Sequence, residues 1–383
     1  MTQMTLTFDA VDEPVAGPKW AERWHRSWPA YQAWFTARGG DNGPSRSACR
    51  DAMQHHMPEL VPVYDKLVLI AGGSDRAARF LSTWCPPAYL GGCSIAAVAG
   101  KKNVRLVRNY DLSPTLNEGL LLRSEWSGRA VMGMVEFLWG LSDGINDAGL
   151  SVALAYGGRS ETGQGFGVTT ILRYILETCD SVEAALAVLR RVPSHMAYNL
   201  VLADASGRTA SVELSPGGGV AVMPSAIATN HQGRSADRPA FTRSFERHAY
   251  LEGLRVKPRK LNRHFLRSPL LQNRYSEGFG TLFTAEYDPK KLRLGLTLNG
   301  TRWEHALNAF QEGQRIVNYA ETETGGGVQK PQQIGSPMPT MVYDWSSAAG
   351  FDWVALVQHY NQQWVPEAAT WGTPSDNGLS DLR

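Results

Sequence analysis

At Gly91-Gly92 the period of the sequence changes, and this switch constrains the fold more than any other feature. Upstream, from about residue 18 to about residue 90, the chain is rich in Trp and His. Its apolar residues recur at helical spacing in Trp20-Ala21-Glu22-Arg23-Trp24 through Trp34-Phe35, and again over residues 52–63. Downstream, residues 94–98 and 104–107 are short apolar runs joined by Gly100-Lys101-Lys102-Asn103, the pattern of two strands and a four-residue hairpin loop. If Ala99 pairs with Val104, counting back sets Cys93 opposite Tyr110, with Arg108 diagonally placed on the same face. A slip of one residue would bring Asp111 to that face instead, because side chains alternate along a strand.

Further strands are predicted at residues 130–135 and 150–156, with Asp143-Gly144-Ile145-Asn146-Asp147-Ala148-Gly149 as punctuation between them. Residues 168–179 then read as a helix carrying Ile171, Leu172, Ile175 and Leu176. Asp180-Ser181 opens a second helix with Val182, Ala185, Leu186 and Leu189. Strands follow at residues 199–204, 209–213, 220–223 and 227–229, then a charged helix over about 238–254 and a last strand pair at 281–287 and 292–298. Strands, two helices and strands again predict an α+β sandwich whose two sheets face each other and carry helices outside. A Gly-, Gln- and Pro-rich break at residues 325–339 precedes a segment with one predicted helix, residues 353–363. The expected organisation is a helical N-terminal segment (1–92), a core (93–324) and a C-terminal linker and extension (325–383).

With 383 residues and 43% apolar composition the chain can bury a substantial core. The 38 basic residues against 36 acidic ones leave a net charge of +2, which gives no long-range attraction for phosphate backbones or acidic lipid. Neither nucleic acid nor a membrane is an expected partner. Met1-Thr2-Gln3-Met4-Thr5-Leu6-Thr7-Phe8-Asp9 lacks a basic head and apolar stretch, and no run of about 18 apolar residues occurs, so a cytoplasmic protein is expected. The four cysteines form no C-x-x-C pair and are read as thiols. His55-His56 and His248 lack ligand spacing, so neither a metal nor another cofactor is expected. Asn299-Gly300-Thr301 reads as a turn.

Cys93 is the residue with most chemical potential. A thiol titrates near pKa ~8.5, and a neighbouring guanidinium favours the thiolate, the form that attacks carbonyls. Arg108 is the candidate activator. Were Cys93 to become a chain terminus, its own α-amine, with a pKa of about 7.7–8.0, would be a base matched to working pH, and Asp111 could hold that amine. The alternative from the same residues is a buried structural cysteine on a core strand.

Several segments, in order, resemble one family over about residues 91–298: the acyl-coenzyme A:6-aminopenicillanate acyltransferase-like proteins of peptidase family C45, relatives of choloylglycine hydrolase and penicillin V acylase. Gly92-Cys93 is similar to the family's self-cleavage junction, and Arg108-Asn109-Tyr110-Asp111 to its arginine and aspartate motif. Asp143-Gly144-Ile145-Asn146 with Gly149-Leu150, the stretch Leu172-Arg173-Tyr174-Ile175-Leu176-Glu177-Thr178-Cys179, and Asp204 to Gly207 with Glu213 are similar to further family segments. Ala228-Thr229-Asn230-His231 resembles the Thr-Asn turn whose asparagine donates to the oxyanion, and Ser244-Phe245-Glu246-Arg247 resembles the Ser-x-x-Arg segment after it. Where bile-salt hydrolase relatives carry an asparagine, this chain has Ala155-Tyr156-Gly157-Gly158, so a donor there would be a backbone N–H.

The resemblance implies the four-layer αββα sandwich of N-terminal-nucleophile hydrolases, with a helical N-terminal segment. It further implies cleavage between Gly92 and Cys93, catalysis by Cys93, Arg108, Asp111 and Asn230, and support from Tyr156, His231, Ser244 and Arg247. The substrate would be a small-molecule N-acyl amide or acyl thioester: water as acceptor gives an amidase acting on linear amides, an amine acceptor gives an acyltransferase. A protein of the same fold that stays unprocessed and only binds is the third reading. Trp126, Phe137 and Trp139 are candidates for an acyl pocket or for plain core packing.

Overall fold

The computed structural model describes residues 4–89, 92–234, 236 and 239–319. The expected helix at 353–363 and the linker and extension from 325 lie outside the described residues, as does Gly91. Before the hairpin come β1 (Met4–Asp12) and helices α1 (Pro18–Ala37), α2 (Arg46–His56), α3 (Val61–Ile70) and α4 (Asp75–Ser82). Ser45 and Ser74 cap α2 and α4 by accepting from Ala48 N and Ala77 N, each satisfying a donor the first helical turn leaves open. Then follow β2 (Gly92–Ala99), β3 (Val104–Leu112), β4 (Leu120–Ser124), β5 (Val131–Glu136), β6 (Gly140–Asn146) and β7 (Ser151–Tyr156). Helices α5 (Val168–Thr178) and α6 (Val182–Arg191) separate these from β8 (Tyr198–Ala203), β9 (Thr209–Leu214), β10 (Val220–Met223) and β11 (Ile227–Ala228). The remainder is α7 (Pro239–Thr242), α8 (Ser244–Gly253), α9 (Asn262–Phe265), β12 (Asn273–Arg274), β13 (Phe279–Asp288), β14 (Arg293–Leu298), β15 (Thr301–Ala306) and β16 (Gly313–Tyr319).

The strands form a nine-stranded sheet, β10-β9-β8-β7-β6-β5-β4-β1-β16, and a seven-stranded sheet, β11-β2-β3-β13-β14-β15 with β12 on β13. Residues of both sheets, among them Phe8, Ile95, Leu121, Met132, Val201 and Leu282, are buried in one shared cluster, so the sheets face each other. On the outer face of the larger sheet Ile171, Leu172, Ile175 and Leu176 of α5 pack with Trp20, Trp24 and Phe80 of the N-terminal helices. On the outer face of the smaller sheet Leu251 of α8 and Phe265 of α9 cover Ala96 and Val107. The protein is therefore α+β, with helices, two sheets and helices in layers. Each fully buried large apolar side chain contributes roughly 1.5–3 kcal/mol, which outweighs the modest helix propensity of a tryptophan-rich α1.

The N-terminal segment carries the expected helices, α1 to α4, and ahead of them β1 pairs in parallel with β4 (Ala10 with Leu121) and antiparallel with β16 (Phe8 with Arg315). Two expectations are revised. Asp143-Gly144-Ile145-Asn146 is strand, not turn, and only the residues after it turn the chain. Gly144 suits a strand here because a Cβ on it would lie 2.7 Å from Leu176 Cδ1 and 3.0 Å from Met132 O. The charged helix near 238–254 is broken at Arg243, whose φ of 50° no helix continues through. Asn299 and Gly300, with φ of 42° and 83°, make the expected turn, between β14 and β15.

Candidate active site

The hairpin register is the one counted from sequence: Ala99 faces Val104 and Cys93 faces Tyr110. Arg108 and Tyr110 therefore project to the side of the thiol, and Arg108 Nη2 donates to Cys93 Sγ at 3.1 Å. Asp111 points to the opposite face of β3, where Thr281, its partner on β13, donates to Oδ1 at 2.7 Å. Asp111 Oδ2 is buried and has no hydrogen-bond partner among the described residues; Arg247 Nη1 lies 3.6 Å away. Asn109, alternating with these two, donates to Phe265 O and Leu270 O and ties α9 down.

Arg108 is held from behind by residues that sequence reasoning left unassigned. Its Nη1 donates to Ser142 Oγ at 2.9 Å and to Asp143 Oδ2, and its guanidinium lies 4.4 Å from the Tyr110 ring centroid. Tyr287 donates to the other oxygen of Asp143. Both members of the Arg108–Asp143 pair are fully buried, so its hydrogen bonds to Ser142 and Tyr287 are what make the burial tolerable. The signal for Asp143 was present as the acidic residue of the Asp-Gly-Ile-Asn string, but a turn reading hid it.

Burial pushes the Cys93 thiol up to about 11, Arg108 pulling the other way and Asp111 adding to the rise. An intact chain therefore carries Cys93 as a thiol near neutrality. Burial likewise raises the Asp111 carboxyl, against the pull of Arg247, Thr281 and Arg108.

Asn230 sits in the turn after β11, positioned by Asn199 Nδ2, which donates to Thr229 O and His231 O at 2.9 Å each. Its Oδ1 accepts from Cys93 N at 3.0 Å and from Arg247 Nη2 at 2.8 Å. Two donors on one atom fix the amide's orientation. Its Nδ2 donates to Tyr156 O at 3.2 Å, so Tyr156 contributes a carbonyl acceptor to this contact. Arg247, one turn into α8, donates to Cys93 O, and to Ser94 Oγ at 2.8 Å. Ser244 Oγ lies 2.8 Å from His231 Nδ1 and donates to Thr229 Oγ1 at 3.0 Å. His231 stands beside His248 and Phe245, and burial, with His248 and Arg247 adding, lowers it to about 4. His231 and Ser244 thus brace the turn that carries Asn230.

Gly92 has no room for a side chain: a Cβ would lie 2.3 Å from Phe279 Cε2 and 2.8 Å from Asp111 O. Of the aromatic candidates, Phe137 lines a cavity with Trp34, Phe80 and Tyr89. Trp139 is core, donating to Leu81 O, and Trp126 is half-buried with its N–H on Glu13 O. No described helix is long and apolar enough to cross a membrane.

A family model described as acyl-coenzyme A:6-aminopenicillanic acid acyl-transferase matches residues 98–303, beginning within β2 just after Cys93. No curated protein matches the chain. Among solved structures, a mutant conjugated bile acid hydrolase from Clostridium perfringens is 15% identical, covering 62% of this chain and 100% of its own, with a TM-score of 0.39. Penicillin V acylase from Agrobacterium tumefaciens is 18% identical over 56% of this chain and 84% of its own, with a TM-score of 0.36. The N-acylethanolamine-hydrolyzing acid amidase ortholog of Caenorhabditis elegans is 14% identical over 52% and 93%, with a TM-score of 0.39.

Proposed function

Because the chain belongs to the acyl-coenzyme A:6-aminopenicillanic acid acyl-transferase family, we propose that it is a self-processing cysteine amidase that cleaves between Gly92 and Cys93 and then opens linear N-acyl amides. The observation that carries this reading is that Cys93 is engaged at both of its reactive groups. Arg108 reaches the sulfur at 3.1 Å and Asn230 Oδ1 takes the backbone N–H at 3.0 Å.

In the uncleaved chain the thiol is held protonated by burial, and its own nitrogen, being an amide, is no base. Cleavage converts that nitrogen to an amine. Asp111 Oδ2, with no hydrogen-bond partner among the described residues, is assigned as an acceptor for the new amine's N–H, and Asn230 Oδ1 remains a second acceptor. The amine takes the Sγ proton as sulfur attacks the substrate carbonyl carbon. A C–S bond forms, the carbonyl oxygen takes the negative charge, and the Asn230 amide is assigned as its donor. Collapse breaks the C–N bond, and the α-ammonium returns the proton to the departing amine. Water, deprotonated by the same amine, then releases the acid and restores the thiol.

The family's description favours a second reading, transfer of an acyl group from a thioester to an amine through the same acyl-enzyme. Residues 1–92 are proposed to be the segment cut from the 93–324 core, and a small-molecule substrate in the cytoplasm is the setting this reading assumes. Intact mass of purified protein tests processing: fragments ending at Gly92 and beginning at Cys93 are expected, and a competent enzyme with an unbroken chain overturns the reading. Incubation with an N-acyl amino acid, against an acyl-CoA plus an amine, separates hydrolysis from transfer by the product that accumulates.

A further inference from the structure

Ser142 and Asp143 are neighbours in β6, yet both reach Arg108. Successive side chains of a regular strand point to opposite faces, so one of the two should miss it. The register explains the exception: Met134 of β5 pairs with Asp143 and Val135 with Leu141, which leaves Ser142 as the extra residue of a β-bulge. Met134, opposite Asp143, belongs to the cluster between the sheets, while Val135 and Leu141 belong to the outer one. The bulge turns Ser142 inward as well, so that Ser142 Oγ and Asp143 Oδ2 both accept from Arg108 Nη1.

Tyr287 reaches the same carboxylate from the smaller sheet. On β13 it faces Leu106, two residues before Arg108, and Ala285 stands opposite Arg108 itself with a side chain too short to obstruct the guanidinium. The Tyr287 hydroxyl donates to Asp143 Oδ1 in a fully buried setting, so the two carboxylate oxygens are divided, one to Tyr287 and one to Arg108. That division matters because an arginine and a carboxylate left to themselves favour two parallel N–H···O bonds. In such a fork Nη2 would face Asp143 and give up Cys93 Sγ, which it now holds at 3.1 Å.

We propose that Tyr287 is a positioning residue for Cys93: by occupying Asp143 Oδ1 it keeps the carboxylate from taking a second N–H of Arg108, and so leaves Nη2 on the Cys93 sulfur. Without the hydroxyl, Oδ1 is a buried acceptor that has lost its donor, and Arg108 Nη2 is the donor it can recruit by a small turn of the guanidinium. The other charged or titratable groups around the thiol and the guanidinium, Tyr110 and Asp111 of β3, Glu136 of β5 and Arg247 of α8, are untouched by that change. Withdrawing Nη2 removes a contact that favours the thiolate, so the sulfur reacts more slowly. A merely structural role acts in the opposite direction, because a loosened core uncovers a residue that is now 1% exposed.

The test is iodoacetamide alkylation of Cys93 in the folded chain, read on the Cys93 peptide by mass so that Cys49, Cys85 and Cys179 do not intrude. Tyr287→Phe keeps the ring and removes the hydroxyl. At a fixed pH below the thiol's midpoint it is expected to slow alkylation at least about threefold, the change that half a pH unit gives. Tyr64→Phe deletes another buried hydroxyl, one that donates to Ala78 O at 2.9 Å in the N-terminal helices. Being remote, it is expected to stay within about twofold of wild type. An unchanged or faster rate in Tyr287→Phe, or equal slowing by Tyr64→Phe, overturns the proposal. The consequence for turnover rests on the amidase reading: kcat is expected to fall in Tyr287→Phe while KM stays within about twofold. Slowed alkylation in a chain that turns over neither amide nor thioester keeps the positioning role and removes that reading.

Discussion

Arg247 Nη2 and Asn230 Oδ1 lie 2.8 Å apart, and the same oxygen accepts the Cys93 N–H, so one arginine decides which end of the asparagine faces the Cys93 backbone. Arg247 also holds Cys93 O and Ser94 Oγ, and thereby fixes the strand and the turn against each other.

Asn230→Asp keeps the acceptor and removes the amide donor. Processing is expected to persist, since Cys93 N–H and Arg247 still find a carboxylate oxygen. Turnover is expected to fall by about 10²–10³, the loss typical of one oxyanion donor. Fragment masses and steady-state rates on the same preparation check both halves; equal loss of processing and turnover contradicts the assignment.

Arg108→Lys retains a cation beside Asp143 but not the planar fork that reaches both Ser142 and Sγ. Since Arg108 favours the thiolate, its loss is expected to move the pH midpoint of Cys93 alkylation by iodoacetamide upward. An unmoved midpoint refutes the activating role. Arg108→Ala is the poorer test, because stranding the buried Asp143 costs about 3–5 kcal/mol in stability.

Gly92→Ala is expected to slow processing at least about tenfold, because the clashes with Phe279 and with the Asp111 carbonyl shift the bond to be broken. Phe279 can yield, but the backbone oxygen at 2.8 Å cannot do so cheaply. Time-resolved intact mass reads the rate, and wild-type kinetics would show that the junction has slack.

What the sequence exposed was local. The hairpin could be counted from one loop, and with it the meeting of Cys93 and Arg108, because β2 and β3 are adjacent in the chain. Asp143 escaped because its role comes from a strand that meets the hairpin only across the sandwich. β1 escaped for the same reason, its register being set by β4 and by β16, some three hundred residues away. Ser244 and Arg247 were found by resemblance, yet their division of labour, one bracing the turn and one gripping the Cys93 strand, depends on contacts between segments far apart in the chain.

His231, lowered to about 4 in the folded state from its usual 6.5, is neutral there when an unfolded chain would protonate it. Its contribution to stability is present above about pH 6.5 and is lost as pH falls toward about 4. His231→Gln is expected to flatten the fall of Tm across that window relative to wild type. Parallel Tm curves for the two proteins contradict it.

β1 lies inside the larger sheet, with a neighbour on each side drawn from distant parts of the chain. A nascent polypeptide emerging from the ribosome cannot seat this strand fully until residue 319 has left the exit tunnel, because β16 is its last-made neighbour. The segment proposed to be cut from the core is thus woven into the protein it precedes. Breaking one peptide bond would leave two polypeptides sharing a backbone ladder, and cutting them apart covalently would not by itself release either one.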